Sequence, residues 1–579
     1  MVVTADPSPR CGRIERVNGP VVHVSGLDAV RFELVEVGPA RLPGEVITVD
    51  RDHAVVQVYE YTGGIAVGDS AWATGHPLTV QLGPGLLGGI YDGLLRPLID
   101  AAVFLPARTL SRPKVSTHDV TMLAQLGATV APGEPIASIR HPAGFDHLVL
   151  VPPGLRGHVD SAVASGRYDT TTVLARVDGT PVRLTSEWPV RQPRPYRERI
   201  TERAPFLTGQ RVLDALEPVA RGSSATVIGG FGEGKTMLLE QLAKWGDADI
   251  IIYVGCGERG NELADLIQEL SQLTDPQTGR RLLERTIILA NTSNMPVMAR
   301  EASIYTAVTV AEYFRDMGLH AVIIADSTSR WAEARRELAS RTGAMPAEQG
   351  YPADLPSSLA AFYQRAGRVT TVGDREGTVT IVTSVSPPGG DATEPVSAHT
   401  QRFVQAVWAL DRDLAYARHY PAVTWRTSFS RDSDAIARWH AASGDPAWAT
   451  RRSRLLALLT EATRLNDVAD LVGLAALPIE ERLVLLTARL VREVVLQQNA
   501  LSPNDASCRR QKQTALAQAV LDVHDTAVTL GQAGVPASLI EAFDFGPLIR
   551  AKDTTAPDDA DGVVRIAREL LADLKRLAP

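Results

Sequence analysis

The chemistry legible in this chain concentrates in one run, Gly229-Gly230-Phe231-Gly232-Glu233-Gly234-Lys235-Thr236. It fits G-x-x-x-x-G-K-[ST], with a predicted strand before it (residues 225–228) and a predicted helix after it. The glycines let backbone N–H groups turn inward around a phosphate, and the helix N-terminus adds a favourable dipole. Lys235 can reach the β- and γ-phosphates, and the Thr236 hydroxyl can serve Mg²⁺. A chance glycine-rich turn would lack the flanking strand and helix. Glu233 is the odd member, a carboxylate inside an anion-binding loop. Its backbone N–H still donates if the side chain faces away, which is the expectation, although its charge opposes phosphate.

A Mg²⁺–nucleotide site needs a second acidic group at a strand end. His320-Ala321-Val322-Ile323-Ile324-Ala325-Asp326 supplies it, an apolar strand closing on a carboxylate. Hydrolysis asks for more than binding: a group must orient and polarise the attacking water in line with the terminal phosphate. Tyr253-Val254-Gly255-Cys256-Gly257-Glu258-Arg259-Gly260-Asn261-Glu262 follows the strand after the phosphate-loop helix. Glu258 lies just past that strand's end, on the edge where open α/β sheets bind ligands. The plainer alternative for it is a helix-capping or surface carboxylate, and Glu262 and Asp265 are weaker candidates nearby. Arg259 and Arg330 either neutralise transition-state charge or hold the site through ion pairs. Cys256 reads as a small buried thiol. Tyr420, in Tyr420-Pro421-Ala422-Val423, is either an aromatic that stacks on a nucleobase or a core tyrosine.

The chain that must position these groups has 579 residues, enough for about four domains. Hydrophobic residues make up 45% and charged residues 22%, the balance of a globular protein, so wholesale disorder is excluded. Lys and Arg number 59 against 67 Asp and Glu, a net charge of -8. No basic excess is available to displace counterions from nucleic acid, which disfavours a general polyanion binder. No apolar stretch approaches the ~18 residues needed to span a bilayer, and residues 1–10 lack the apolar core of a signal peptide. Cys11, Cys256 and Cys508 form no CxxC pair, so neither a disulfide framework nor a zinc site is expected. A reducing cytoplasm is the expected setting, and any work at a membrane would be done by docking onto something else.

The pattern along the chain is that of a multidomain α/β protein. Residues 1–75 read as short β-branched strands punctuated by Gly, Pro and Asp, an N-terminal β-barrel. Residues 76–110 form a Gly/Leu-rich connecting segment, and 111–186 an inserted β module full of turn signals. Residues 188–195 are a Pro/Arg-rich linker. Apolar strands then alternate with helical stretches over 187–432, which argues for a parallel sheet covered on both faces. Over 433–579 strands give way to a C-terminal helical bundle, with a long amphipathic run at 479–498.

Taken together, these motifs resemble the catalytic A subunit of the V/A-type rotary ATPases, relatives of the F-type β subunit. The resemblance runs from Gly12 to about Gln498. Its specific pieces include Leu82-Gly83-Pro84-Gly85-Leu86-Leu87-Gly88, Trp188-Pro189-Val190-Arg191, the phosphate loop with Phe231, and Gly255 to Glu262. Others are Ser293-Asn294-Met295-Pro296, Ala325-Asp326-Ser327-Thr328-Ser329-Arg330-Trp331, and Leu496-Gln497-Gln498-Asn499-Ala500. The β module at 111–186 is similar to the extra region that marks the catalytic chain of the V/A-type enzymes.

The resemblance implies a RecA-like P-loop α/β domain at 187–432, ATP/ADP and Mg²⁺ as ligands, and ATP hydrolysis or synthesis coupled to proton or sodium translocation across a membrane. It implies that Gly229, Gly230, Phe231, Gly232, Glu233, Gly234, Lys235 and Thr236 cradle the phosphates, with Phe231 shaping the loop above the nucleotide. Glu258 positions the attacking water, Arg259 sits beside the γ-phosphate, Arg330 is the site's further arginine, and Thr236 and Asp326 serve the metal. Tyr420 stacks on adenine. The implied partners are a non-catalytic B subunit in an alternating hexameric ring, which lends an arginine in trans, and the components of central and peripheral stalks. A membrane ion-translocating sector would be reached indirectly, from the cytoplasmic face, and no nucleic acid is implied.

Three positions depart from the family pattern. Glu233 replaces a small residue, Leu501 stands where a second base-contacting phenylalanine is usual, and Asp354-Leu355-Pro356 differs from the commoner Tyr-Leu-Gly run. The alternatives are a non-hydrolysing regulatory nucleotide-binding subunit, which Glu258 with Lys235 argues against, and a RecA-like nucleic-acid translocase, which the acidic balance argues against.

Overall fold

A computed structural model describes residues 10–99, 116–274 and 279–578. The expectations for the first nine residues, the end of the connecting segment and the start of the inserted module fall outside them. The chain divides into two units: Met1–Thr201, Ala248–Val385 and Ala392–Phe403 in the first, and Glu202–Asp247, Ser386–Asp391 and Val404–Pro579 in the second.

The first unit opens with a closed barrel of six strands, from Cys11–Asn18 to Ser70–Pro77. Alternation builds it. Along the first strand Gly12 and Ile14 point inward while Arg13 and Glu15 point to solvent. Val22, Val24, Val35, Val46 and Val56 fill the interior, and closure leaves no unpaired edge. The inserted module is a pair of four-stranded sheets packed around Ile136, Val149, Leu174 and Val177.

The same unit holds a parallel sheet in the order Ile90–Tyr91, Thr286–Asn291, Ile250–Cys256, His320–Asp326, Glu376–Val385. Every residue of Ile250–Cys256 and of His320–Asp326 is buried. Such runs show no alternation because helices cover both faces. Gly260–Gln272, Val297–Asp316 and Thr328–Thr342 are the helices that follow its strands.

Residues 188–195 are not a free linker. Ser186–Pro189 is a strand paired antiparallel with Thr79–Leu82. Beyond it Arg191 bonds both Glu45 and Glu301 at 2.7 Å, and Arg194 bonds Asp316 at 2.7 Å. The arginines that make this segment look solvated are the groups that pin it, because buried carboxylates await them from residues far off in sequence.

In the second unit, the fully buried strand Ser224–Ile228 runs parallel to Ala406–Ala409, which pairs antiparallel with Phe429–Ser430. Among the described residues no strand follows Ser430. Helices take over, with Trp448–Val472, Ile479–Leu490 and Arg510–Gln532 the longest stretches before the closing Ala560–Lys575. Ile479–Leu490 runs on as a wider π turn through Leu496.

Candidate nucleotide site

The acidic candidate residues lie in the first unit. In the parallel pairing of the central strands, Gly255 stands beside Asp326. Both strands therefore end on the same edge, and Glu258 follows two residues past Cys256. Gly257 makes the turn between them at φ 76°. A Cβ there would meet the Arg330 Cβ at 2.9 Å and the Arg300 Cζ at 3.2 Å, so only glycine fits. The Gly257 N–H donates to the Asn291 carbonyl at 2.7 Å, and the Glu258 carbonyl accepts the Ser293 N–H at 3.0 Å. The backbone on both sides of the carboxylate is thus held.

Burial pushes the Glu258 carboxyl up to about 7, reinforced by the like charges of Asp326 and Glu262 and opposed by Arg330. A carboxyl in that range exchanges its proton near neutrality, as a general base requires. Asp326 is buried and accepts the Ser384 hydroxyl. Arg330 donates to both Glu333 oxygens, at 3.0 and 2.9 Å, so its ion pair runs along its own helix while its charge still reaches Glu258. Arg259 is exposed at the start of helix Gly260–Gln272, and Glu262 and Asp265 are exposed on that helix. Cys256 is a buried thiol, as its neighbours suggested.

Sequence reasoning passed over Arg300. It is buried on helix Val297–Asp316 at 8% exposure, and among the described residues its Nε has no hydrogen-bond partner. Glu301 beside it is claimed by Arg191 and Arg335. A buried guanidinium without a carboxylate is costly unless an anion arrives. The signal was present in the sequence: an arginine inside a helix of small and apolar residues, just past the Asn294-Met295-Pro296 turn.

The glycine-rich loop 229–236 lies in the second unit. Gly232 and Gly234 take φ 83° and 93°, and Gly234 leads into helix Lys235–Trp245. The Lys235 ammonium donates to the Gly229 carbonyl at 2.8 Å and to that of Gly230. Phe231 projects from the loop at 95% exposure. Glu233 does not face away as expected. Its carboxylate accepts the Gly230 N–H at 2.6 Å; a backbone donor three residues back, in a loop short of acceptors, outcompetes solvent for it.

A cavity of about 460 Å³ adjoins the loop, lined by Gly234, Met237, Tyr420, Gln498, Asn499 and Leu501 among others. The Tyr420 ring lies 3.5 Å from where a Gly234 Cβ would stand, so Tyr420 is a half-exposed cavity wall rather than a core residue. The floor is held from behind. The Gln498 side chain accepts the Arg211 N–H at 2.9 Å and donates to the Gly209 carbonyl at 2.9 Å. Leu501 lies 91% exposed. The cavity therefore has an aromatic wall in Tyr420 and only an aliphatic, outward-lying residue at Leu501. Leu501→Phe is expected to tighten ADP binding about three- to tenfold, the range of one added aromatic contact of about 0.5–1.5 kcal/mol. Calorimetric titration of the full chain reads this directly, and an unchanged affinity would show that position 501 does not reach the base.

Four family models match the chain in succession. They are the ATP synthase alpha/beta family β-barrel domain (residues 14–75), the barrel-sandwich domain (109–191), the nucleotide-binding domain (209–430) and the C-terminal domain of V and A type ATP synthase (437–533). The V-type ATP synthase alpha chain of Nitrosococcus oceani is 46% identical, covering 93% of each chain. The A subunit of the A-type ATP synthase of Staphylothermus marinus is 43% identical over 98% of this chain and 97% of its own; that of Haloferax volcanii is 44% identical over 94% of each. The assembled ATPase EscN from the type III secretion system of enteropathogenic E. coli has a TM-score of 0.62 at 21% identity, covering 88% of this chain and 100% of its own, a likeness of fold. Near-full-length identity at this level, with the domain models in the order the fold displays, means that the chain belongs to the ATP synthase alpha/beta family and, within it, to the A (alpha) chains of the V-type and A-type ATP synthases.

Proposed function

We propose that the loop 229–236 binds the phosphates of ATP and that Glu258 orients the water exchanged with its terminal phosphate, the chain acting as the catalytic subunit of a V/A-type rotary ATPase. The observation that carries this reading is Glu258 itself. It is held past the end of a central strand, beside Asp326, with its proton affinity raised into the working range by burial and like charge.

Each residue then has a task. The loop N–H groups and Lys235 hold the phosphates. Arg259, Arg330 and Arg300 offset the charge that builds on the terminal phosphate. Tyr420 stacks on adenine. Thr236 and Asp326 suit Mg²⁺, since both offer hard oxygen donors. The ion, when bound, neutralises phosphate charge.

The assembly we infer is an alternating hexameric ring with a non-catalytic B subunit, joined by central and peripheral stalks to a membrane sector that moves protons or sodium. The chain sits on the cytoplasmic face without entering the bilayer. Among the described residues no helix is long and apolar enough to cross a membrane, which supports a peripheral place. Purification with native partners tests this. A stoichiometric complex with a homologous non-catalytic chain and a stalk is expected, with ATPase activity that falls by about 10²-fold or more in Lys235→Ala. A solitary chain with full ATPase activity overturns the assembly, and unchanged turnover in Lys235→Ala overturns the site.

A further inference from the structure

The phosphate loop carries a charge of the same sign as its ligand, and the fold keeps that charge close. The Glu233 Oε2 accepts the Gly230 N–H at 2.6 Å. The loop is shaped to admit it: a Cβ on Gly229 would stand 2.7 Å from Oε2, and one on Gly230 2.6 Å from Oε1. A side chain at either position would push this carboxylate out of its present seat.

Among the described residues no ion pair cancels the charge. Among the described residues the Gly230 N–H is the hydrogen-bond partner of Glu233, and no cation bridges to it. The Lys235 ammonium is turned onto the Gly229 and Gly230 carbonyls. Arg412, whose charge interacts with that of Glu233, gives its guanidinium to the Tyr416 hydroxyl at 2.9 and 2.7 Å.

We propose that Glu233 sets the nucleotide affinity of this chain low, its carboxylate opposing the bound phosphates from within the loop and so favouring release of the nucleotide. The inference rests on reading 229–236 as the phosphate site. A like charge well inside a Debye length of a multiply charged ligand changes affinity on the order of tenfold. Where product release limits turnover, weaker holding raises the rate. A small uncharged residue at this position would bind more tightly and let go more slowly.

Titrating Mg-ADP into the full chain and into two variants tests the proposal. Glu233→Gln keeps an oxygen acceptor for the Gly230 N–H and removes the charge. Glu233→Ala removes both. Glu233→Gln is expected to bind Mg-ADP about tenfold more tightly, with the gain shrinking as salt is raised. Equal or weaker binding by Glu233→Gln overturns the proposal and makes the carboxylate a brace of the loop. Lys235→Ala is the separate check: if it binds Mg-ADP as the parent does, the phosphate-site reading fails, and this inference with it.

Discussion

Glu258→Gln is expected to lower ATP turnover of the assembled enzyme by about 10²–10⁴-fold, the usual contribution of a positioned base, while Mg-ADP still binds. The pH dependence follows from the same residue. Its carboxyl is raised to about 7, so the carboxylate that accepts a water proton is scarce below that pH and predominant above it. Turnover should climb through about pH 7, and the residual rate of Glu258→Gln should lose that inflection. Stability moves the other way. A carboxyl whose folded value lies above its unfolded one binds protons more readily when folded, so the folded state loses stability as pH rises from the ordinary glutamate value through 7. Thermal melting should then find Glu258→Gln at least as stable as the parent at pH 8, the common cost of keeping a strained functional group. Turnover unchanged by the substitution would remove Glu258 from the mechanism.

The second large effect is structural. Arg211 is fully buried and makes an ion pair with buried Asp505. Its Nε donates to the Val495 carbonyl at 2.9 Å and its Nη2 to that of Gln497 at 2.6 Å. Asp505 in turn accepts the Asn499 N–H at 2.7 Å. One guanidinium thus fastens the segment 495–499 that floors the cavity beside Tyr420. Arg211→Ala is expected to cost about 3–5 kcal/mol, because it removes the direct ion-pair partner of buried Asp505 and the side-chain donor to the Val495 carbonyl, while Lys552 still reaches the Gln497 carbonyl at 3.2 Å. The denaturation transition of the full chain should fall accordingly, and nucleotide affinity should weaken along with it. The pair replaced together, as Arg211→Met with Asp505→Leu, should recover only part of the stability, since buried Lys512, whose charge Asp505 also supports, keeps only carbonyl acceptors among the described residues. A loss below about 1 kcal/mol in Arg211→Ala would mean that solvent reaches Asp505.

Local sequence already specifies the glycine-rich loop 229–236, the strand ending in Asp326 and the acidic turn at Glu258. Each is written in adjacent residues: glycine permits the loop, continuous apolar runs demand buried parallel strands, and a carboxylate after such a strand stands on the ligand-binding edge. The shift from β-branched alternation to parallel strands to helices was likewise local in origin, and the barrel, the β module, the P-loop sheet and the helical end follow it. Tertiary structure alone decided what remote residues do to one another. Arg191 reads as part of a solvated linker until Glu45 and Glu301 are brought to it. Arg300 is unremarkable until burial leaves its Nε without a partner among the described residues, and Arg211 meets Asp505 only across 294 positions of sequence. Glu233 was expected to face outward, and folding turned it onto Gly230. Periodicity and propensity act over a few residues, whereas ion pairing, desolvation and side-chain rotamers depend on which distant atoms share a volume.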